Sequence, residues 1–313
     1  VTQPLDTHPV SGVDDGVAVR TWLERTLPVG WTALVREGRS PGSATLYPEL
    51  DVDAWMTALF DTRFLTADWP VAYGGLGLGN AETKAIYQEL ARYEVPMPLW
   101  ANPLIMCGRA ILSSGTAEQR LQFLPRMASG ADIWCQLFSE PGAGSDLASL
   151  RTRAVKYGDR WLVTGEKVWT TFAHLSKWGM LLARTDQTAS RHHGITCFIV
   201  DMATDGIEVR PLRQLTGETS FNQVFFDEAP VPDEYRLGPI DGGWEVAMRM
   251  LESERSILST QRVGGIDVHR LLDRHAGERN PVVRQQLVHA YVRQRLSEFA
   301  TAPEGRRVGR TLR

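Results

Sequence analysis

Between residues 133 and 226 the chain breaks into seven short runs rich in β-branched and aromatic residues, at 133–138, 150–156, 160–164, 167–171, 177–184, 194–201 and 222–226. Runs this short, parted by turn residues, read as strands rather than helices. Tyr157-Gly158-Asp159 reads as the hairpin turn between two of them. A sheet assembled from such pieces buries its apolar faces only by closing or by packing on another sheet, so a barrel or sandwich of about 100 residues is expected.

Both flanks carry the helical period instead. Before the strands, helices are expected at 17–27, 53–63, 81–93, 102–114 and 116–128. Gly115 stops the fourth, and Thr116 caps the fifth. The glycine-dense stretch 69–77 must turn tightly. After Gly242, the residues Trp244, Ala247, Met248, Leu251, Glu254, Arg255 and Leu258 share one helical stripe, and a last, Arg-rich helix covers 282–299. The expected fold class is therefore α+β. A helical domain (1–130) is followed by a β-barrel or sandwich domain (131–240) and a helical C-terminal bundle (241–313).

Composition narrows the function classes. Hydrophobic residues make up 43% and charged residues 23% of the 313, with a net charge of −3. There is no basic stripe with interleaved aromatics, which argues against a nucleic-acid partner. No apolar run approaches the ~20 residues that span a bilayer, so no membrane insertion is expected. Cys107, Cys135 and Cys197 sit scattered in apolar runs, without C-x-x-C or metal-ligand spacing. They read as reduced core thiols of a cytoplasmic protein that holds no metal. The opening VTQPLDTHPV lacks the basic and apolar regions of a signal peptide, and a start at Val1 reads as processed or trimmed.

The chemistry concentrates in 134–171. Ser139, Glu140, Pro141, Gly142, Gly144, Ser145 and Asp146 fall within eight positions. Pro141 fixes its own φ, and the glycines are free to take positive φ. Such a loop can turn amides and hydroxyls toward a phosphate or a flavin edge; it also reads as a plain turn between strands. Order adds what composition lacks. WCQLFSEPGAGSDLASLRTRA, then DRWLVTGEKVWTT, then WGMLLARTD resembles the middle domain of the acyl-CoA dehydrogenases. The resemblance extends outward through WPVAYGGLGLG, GTAEQRLQFLPRMASG and MLESERS, and so covers the chain from Asp68 to Ser256. Family members continue past the end of this sequence with further helices of a four-helix bundle, so the C-terminal domain is expected to be incomplete.

That resemblance implies FAD-dependent oxidation of an acyl-CoA thioester to its 2-enoyl form, with the α-proton going to a base and the β-hydride to flavin N5. The implied cofactor positions are Gln136, Phe138, Ser139, Gly144, Ser145, Trp169, Thr170 and Thr171. Ser139 matches a ligand of the flavin ring, Ser145 a ligand of the pyrophosphate, Trp169 an indole on the flavin face and Thr171 a hydroxyl near N5. Taken singly, Trp169 and Thr171 are also compatible with plain core and strand roles. Independently of the family, Glu254 falls on an otherwise apolar helix stripe, where desolvation raises a carboxyl toward the working range of a base; a buried ion pair is the alternative. The Glu252-Ser253-Glu254-Arg255 run is similar to the helix-borne base pattern of the isovaleryl-CoA dehydrogenase-like subset. Glu254 is then the base, and Ser145, Glu252 and Arg255 contact substrate. An electron-transfer flavoprotein is the implied acceptor, and a homo- or hetero-oligomer, dimer or tetramer, the implied assembly. An acyl-CoA oxidase, a flavin monooxygenase relative and a non-catalytic partner subunit share the fold and remain as alternatives.

Overall fold

The computed structural model describes residues 15–37, 49–98, 100–260 and 268–301. The side chains of residues 15, 252–260, 269–270 and 297–301 lie outside that description. The chain forms two compact units, Val1–Gln261 and Arg262–Arg313.

Among the described residues of the first unit six α-helices precede the strands: α1 (Asp15–Thr26), α2 (Val29–Arg36), α3 (Val52–Asp61), α4 (Asn80–Arg92), α5 (Ala101–Ser114) and α6 (Ala117–Ala128). Five correspond to the expected ones, and α2 is an addition. Its VGWTALVR sequence begins with weak helix formers, but Trp31 is wholly buried and its indole N–H donates to the Tyr93 carbonyl at 2.8 Å. Tertiary contact overrides local propensity there. At α6 the cap is a full capping box between Thr116 and Gln119. Gln119 also bolts the helix to the strand region, donating to the Glu234 carbonyl at 2.7 Å and the Arg236 carbonyl at 3.0 Å. The glycine-dense stretch does turn tightly. Gly74 and Gly77 take φ of 88° and 67°, and a Cβ on Gly75 would lie 2.1 Å from the Trp69 carbonyl oxygen.

Eight strands follow where seven were expected: β1 (Trp134–Leu137), β2 (Arg153–Tyr157), β3 (Arg160–Thr171), β4 (Trp178–Arg184), β5 (Ile195–Asp201), β6 (Ile207–Leu212), β7 (Phe221–Pro232) and β8 (Arg236–Leu237). The runs 160–164 and 167–171 are one strand, β3, continuous through Gly165. A Cβ at Gly165 would stand 2.5 Å from Thr152 Oγ1, so the strand passes there only as glycine. The sequence pattern missed β6 because Glu208, Arg210 and Pro211 interrupt it; as an edge strand paired only with β7 it tolerates all three. The sheet runs β6-β7-β3-β2-β4-β5-β8, with β1 beside β4.

The sheet curls around an apolar interior drawn from β1, β2, β3, β4, β5 and β7, including Leu137, Trp161, Val163, Leu181, Phe198, Val200 and Val224. On the outer side of β4 and β5, Met180, Leu182, Cys197 and Ile199 pack with Phe123 and Met127 of α6 and with Cys107 and Ile111 of α5. With apolar neighbours on both faces, β4 and β5 read as unbroken hydrophobic runs rather than alternating ones. Helix α7 (Gly243–Thr260) joins this second core through Val246, Ala247 and Met250. It starts hard against β5, where a Cβ at Gly243 would lie 2.6 Å from the Cys197 nitrogen. All three cysteines are buried and free, and burial pushes their thiols up.

The second unit holds α8 (Val268–Arg274) and α9 (Pro281–Thr301). α9 begins with Pro281 at its first position and Asn280 accepting from the Val282 N–H at 3.0 Å. Among the described residues no helix is long and apolar enough to cross a membrane, and no cluster of His, Cys, Asp and Glu could hold a metal.

Candidate functional site

Strand β1 delivers the chain into the loop 138–150. Phe138, Ala143 and Leu150 press into the core shared with α5, α6 and α7, and Leu147 packs against it. Those anchors leave Gly142, Gly144, Ser145 and Asp146 facing solvent. Glu140 and Ala143 exchange N–H···O bonds of 3.1 and 3.0 Å, so the Pro141-Gly142 pair is indeed a tight turn. Neither Gly142 nor Gly144 takes positive φ, so the freedom open to them is not used here. A Cβ at either would meet nothing within 4 Å. Among the described residues nothing demands glycine at these positions.

A buried ion pair holds this loop against β3. Lys167 is 0% exposed, and its Nζ donates to Glu140 Oε1 at 2.8 Å and to the Phe138 carbonyl at 3.0 Å. Glu140 also accepts the backbone N–H groups of Arg151, at 2.6 Å, and Thr152, at 2.9 Å. The loop is thus gripped at entry and exit, and the Val168 N–H adds a 2.9 Å bond to the Ser139 carbonyl. Burial pushes the Lys167 ammonium down to about 8, against the pull of the Glu140 charge. Burial also opposes ionisation of Glu140, but the Lys167 charge and the hydrogen bonds from Lys167, Arg151 and Thr152 hold its carboxyl below the usual range. Both residues lie in the motifs singled out above, yet their role was missed: a single lysine in a strand pattern carries no mark of burial.

Immediately beyond Lys167, β3 bulges. Lys167 pairs with Val224 and Thr170 with Asn222, so three steps on β3 match two on β7. The bulge puts Trp169 at φ 60° and leaves its indole 61% exposed, touching Phe221 edge-on at 5.9 Å. Phe172, at φ 53°, ends the segment. Left-handed non-glycine residues cost about 1–3 kcal/mol each and persist only where surroundings enforce them. Thr171 is half-buried, and the hydroxyl of Thr170 is buried without a hydrogen-bond partner among the described residues.

Ser139 bonds Val168 and Phe138 bonds Lys167, while Gln136, half-buried on β1, sits beside Met180 of β4, with Gly144 and Ser145 at the exposed part of the loop that follows β1. The residues fit a flavin: an exposed aromatic side chain and a buried hydroxyl without a partner among the described residues follow one another on the strand that bonds the glycine loop, and the loop has open space over its glycines. Glu252, Glu254 and Arg255 fall on α7 as expected, but their side chains lie outside the described ones.

Comparison with known proteins gives the family. Residues 32–131 match the acyl-CoA dehydrogenase N-terminal domain, and residues 135–229 match the acyl-CoA dehydrogenase middle domain. The acyl-CoA dehydrogenase IpdE1 of Mycobacterium tuberculosis is 37% identical over 278 residues, covering 87% of this chain and 72% of that protein. FadE34, an acyl-CoA dehydrogenase of the same organism, is 49% identical over 220 residues, which is 69% of this chain but 30% of FadE34. Among solved structures, the Tcur3481-Tcur3483 steroid ACAD superposes with a TM-score of 0.69 at 28% identity, covering 88% of this chain and 71% of that one. The chain belongs to the acyl-CoA dehydrogenase family and carries its N-terminal and middle domains.

Proposed function

We propose that this protein is a cytoplasmic, FAD-dependent dehydrogenase that converts an acyl-CoA thioester to the 2-enoyl-CoA. FAD, when bound, supplies the hydride acceptor that no side chain provides. The carrying observation is the exposed indole of Trp169, fixed on a left-handed bulge beside a loop whose glycines face open space. Burying that indole against a ring recovers apolar area that the fold alone leaves wet. Ser139 and Thr171 are the proposed hydroxyl partners of the ring system, Ser145 that of the pyrophosphate, and Gln136, Phe138, Gly144 and Thr170 complete the walls.

Glu254 is the proposed base. It follows Ala247 by seven residues and Met250 by four, continuing the register of two buried positions on α7. Desolvation raises a carboxyl toward the working range of a base, which is why a position in that register suits the acceptor of the α-proton. Glu252 and Arg255 are the proposed substrate contacts beside it, with Ser145 near the pantetheine. The steroid ACAD similarity favours a bulky polycyclic acyl group over a short linear one. Electrons then pass to an electron-transfer flavoprotein, and the working assembly is a dimer or tetramer, homomeric or mixed. The test is anaerobic mixing of the FAD-loaded protein with a panel of acyl-CoA thioesters, from short branched to steroid-derived. Loss of the yellow absorbance with a bulky thioester supports the reading. Failure to take up FAD, or to bleach with any of the panel, contradicts it, and peroxide release in air would mark an oxidase instead.

A further inference from the structure

The left-handed segment 169–172 is held from one side by a residue that the flavin reading does not use. Asn222, on β7, is 0% exposed. Its Nδ2 donates to the Thr170 carbonyl at 3.0 Å and lies 3.5 Å from the Ser220 carbonyl. With two carbonyls on that side, the amide nitrogen must point there, and Oδ1 points the other way. Oδ1 stands 3.0 Å from Nδ1 of His174. Since Oδ1 can only accept, Nδ1 of His174 carries the hydrogen whether the ring is neutral or charged. His174 follows the segment closely, is an exposed residue, and leans against Phe172 with centroids 6.2 Å apart.

The main chain completes the hold. The Phe172 N–H donates to the Ser220 carbonyl at 2.8 Å, and the Ser176 hydroxyl to the Phe172 carbonyl at 2.9 Å. Ladder pairing of Thr170 with Asn222 and Thr171 with Phe221 resumes after the bulge. Of these grips only the one from Asn222 reaches the Thr170 peptide by a side chain, and His174 donates to the other end of the same amide. Without that donor a buried amide oxygen loses its partner, which weakens the hold of Asn222 on Thr170.

We propose that His174 and Asn222 are positioning residues for the cofactor, acting through the Thr170 peptide to fix the Trp169 indole and the Thr171 hydroxyl. The inference rests on the flavin reading above. A preset segment binds its guest without the cost of ordering it, so loosening the segment weakens binding without touching the guest.

His174→Leu is the main variant, because an exposed side chain can be changed without unfolding the core. It removes the N–H donor. His174→Asn is the conservative partner, since its amide N–H lies where the imidazole Nδ1–H was. Asn222→Asp, a near-isosteric change, replaces the donor to Thr170 with a group that only accepts. FAD affinity, the flavin absorption spectrum and the flavin reduction potential are read for each, alongside the melting temperature. The expected result for His174→Leu is FAD binding roughly five- to tenfold weaker, the scale of one lost net hydrogen bond, with a displaced flavin spectrum and potential. His174→Asn restores all three, and Asn222→Asp exceeds His174→Leu. Parental affinity, spectrum and potential in His174→Leu overturn the inference while leaving the flavin reading intact, and so does a variant that only melts earlier. A parental protein that takes up no FAD overturns both.

Discussion

Lys167 Nζ lies 2.8 Å from Glu140 Oε1, with the lysine 0% and the glutamate 8% exposed. The pair joins the two segments that make the candidate site, since each residue also bonds backbone of the loop 138–152. Removing one partner of such a pair strands the other charge, at a cost of about 3–5 kcal/mol. Lys167→Met is therefore expected to lower unfolding free energy by about that amount, and Lys167→Met with Glu140→Gln to recover most of it. Denaturant titration of the two variants measures the difference. A single variant as stable as the parent would remove the pair from this account.

The same pair sets a pH signature. Lys167 is pushed down to about 8 from an ordinary 10.5, so between those values the unfolded chain holds a proton that the folded chain has released. Stability from this group therefore rises with pH across that window. Glu140 is held below its ordinary 4.5, so its contribution is present above 4.5 and is lost as pH falls through the folded value. Melting curves of the parent minus those of Lys167→Met should show the alkaline rise, and those minus Glu140→Gln the acid loss. Superimposable pH profiles contradict both assignments.

Gly142 and Gly144 separate fold from function cleanly. A Cβ at either meets nothing within 4 Å, and neither has positive φ. Alanine there is expected to leave stability unchanged or raise it by up to about 1 kcal/mol, through the unfolded chain. FAD affinity should nonetheless fall at least tenfold, because the methyl occupies the space of the guest. Calorimetry and FAD titration of Gly144→Ala give the two numbers; unaltered FAD affinity contradicts the placement.

Much of this was legible in the sequence, and the exceptions have physical causes. The helical flanks and most strands follow their hydrophobic periods, and the Thr116 cap is visible in three residues. Helix α2 was hidden because burial of Trp31, Thr32 and Val35, not its propensity, holds it. Strand β6 was hidden because an edge strand needs no apolar alternation. In the site, Trp169 and the glycines stood out by type, but Asn222 and His174 did not. Their importance comes from contacts across the sheet, to residues 52 and 48 positions away, which no local pattern encodes.

Trp169 and Thr171 test the aromatic wall. Trp169 is 61% exposed, so Trp169→Ala is expected to change stability by no more than about 0.5 kcal/mol. FAD affinity should drop tenfold or more with the lost contact area. Thr171→Ala should retain FAD but shift its absorbance and slow its reduction. Spectra and affinities equal to the parent in both variants would mean that these residues serve the strand alone.

The most direct measurement is anaerobic, single-turnover flavin reduction by an acyl-CoA substrate in the parental protein and in Glu254→Gln. Glutamine keeps the volume and polarity of glutamate but cannot accept the α-proton, and loss of a positioned base costs about 10²–10⁴-fold in rate. Glu254→Gln is expected to bind FAD and acyl-CoA as the parent does, yet to reduce its flavin slower by that factor, while Glu252→Gln affects substrate binding only. Reduction of Glu254→Gln at the parental rate would contradict the account and move the base to another carboxylate.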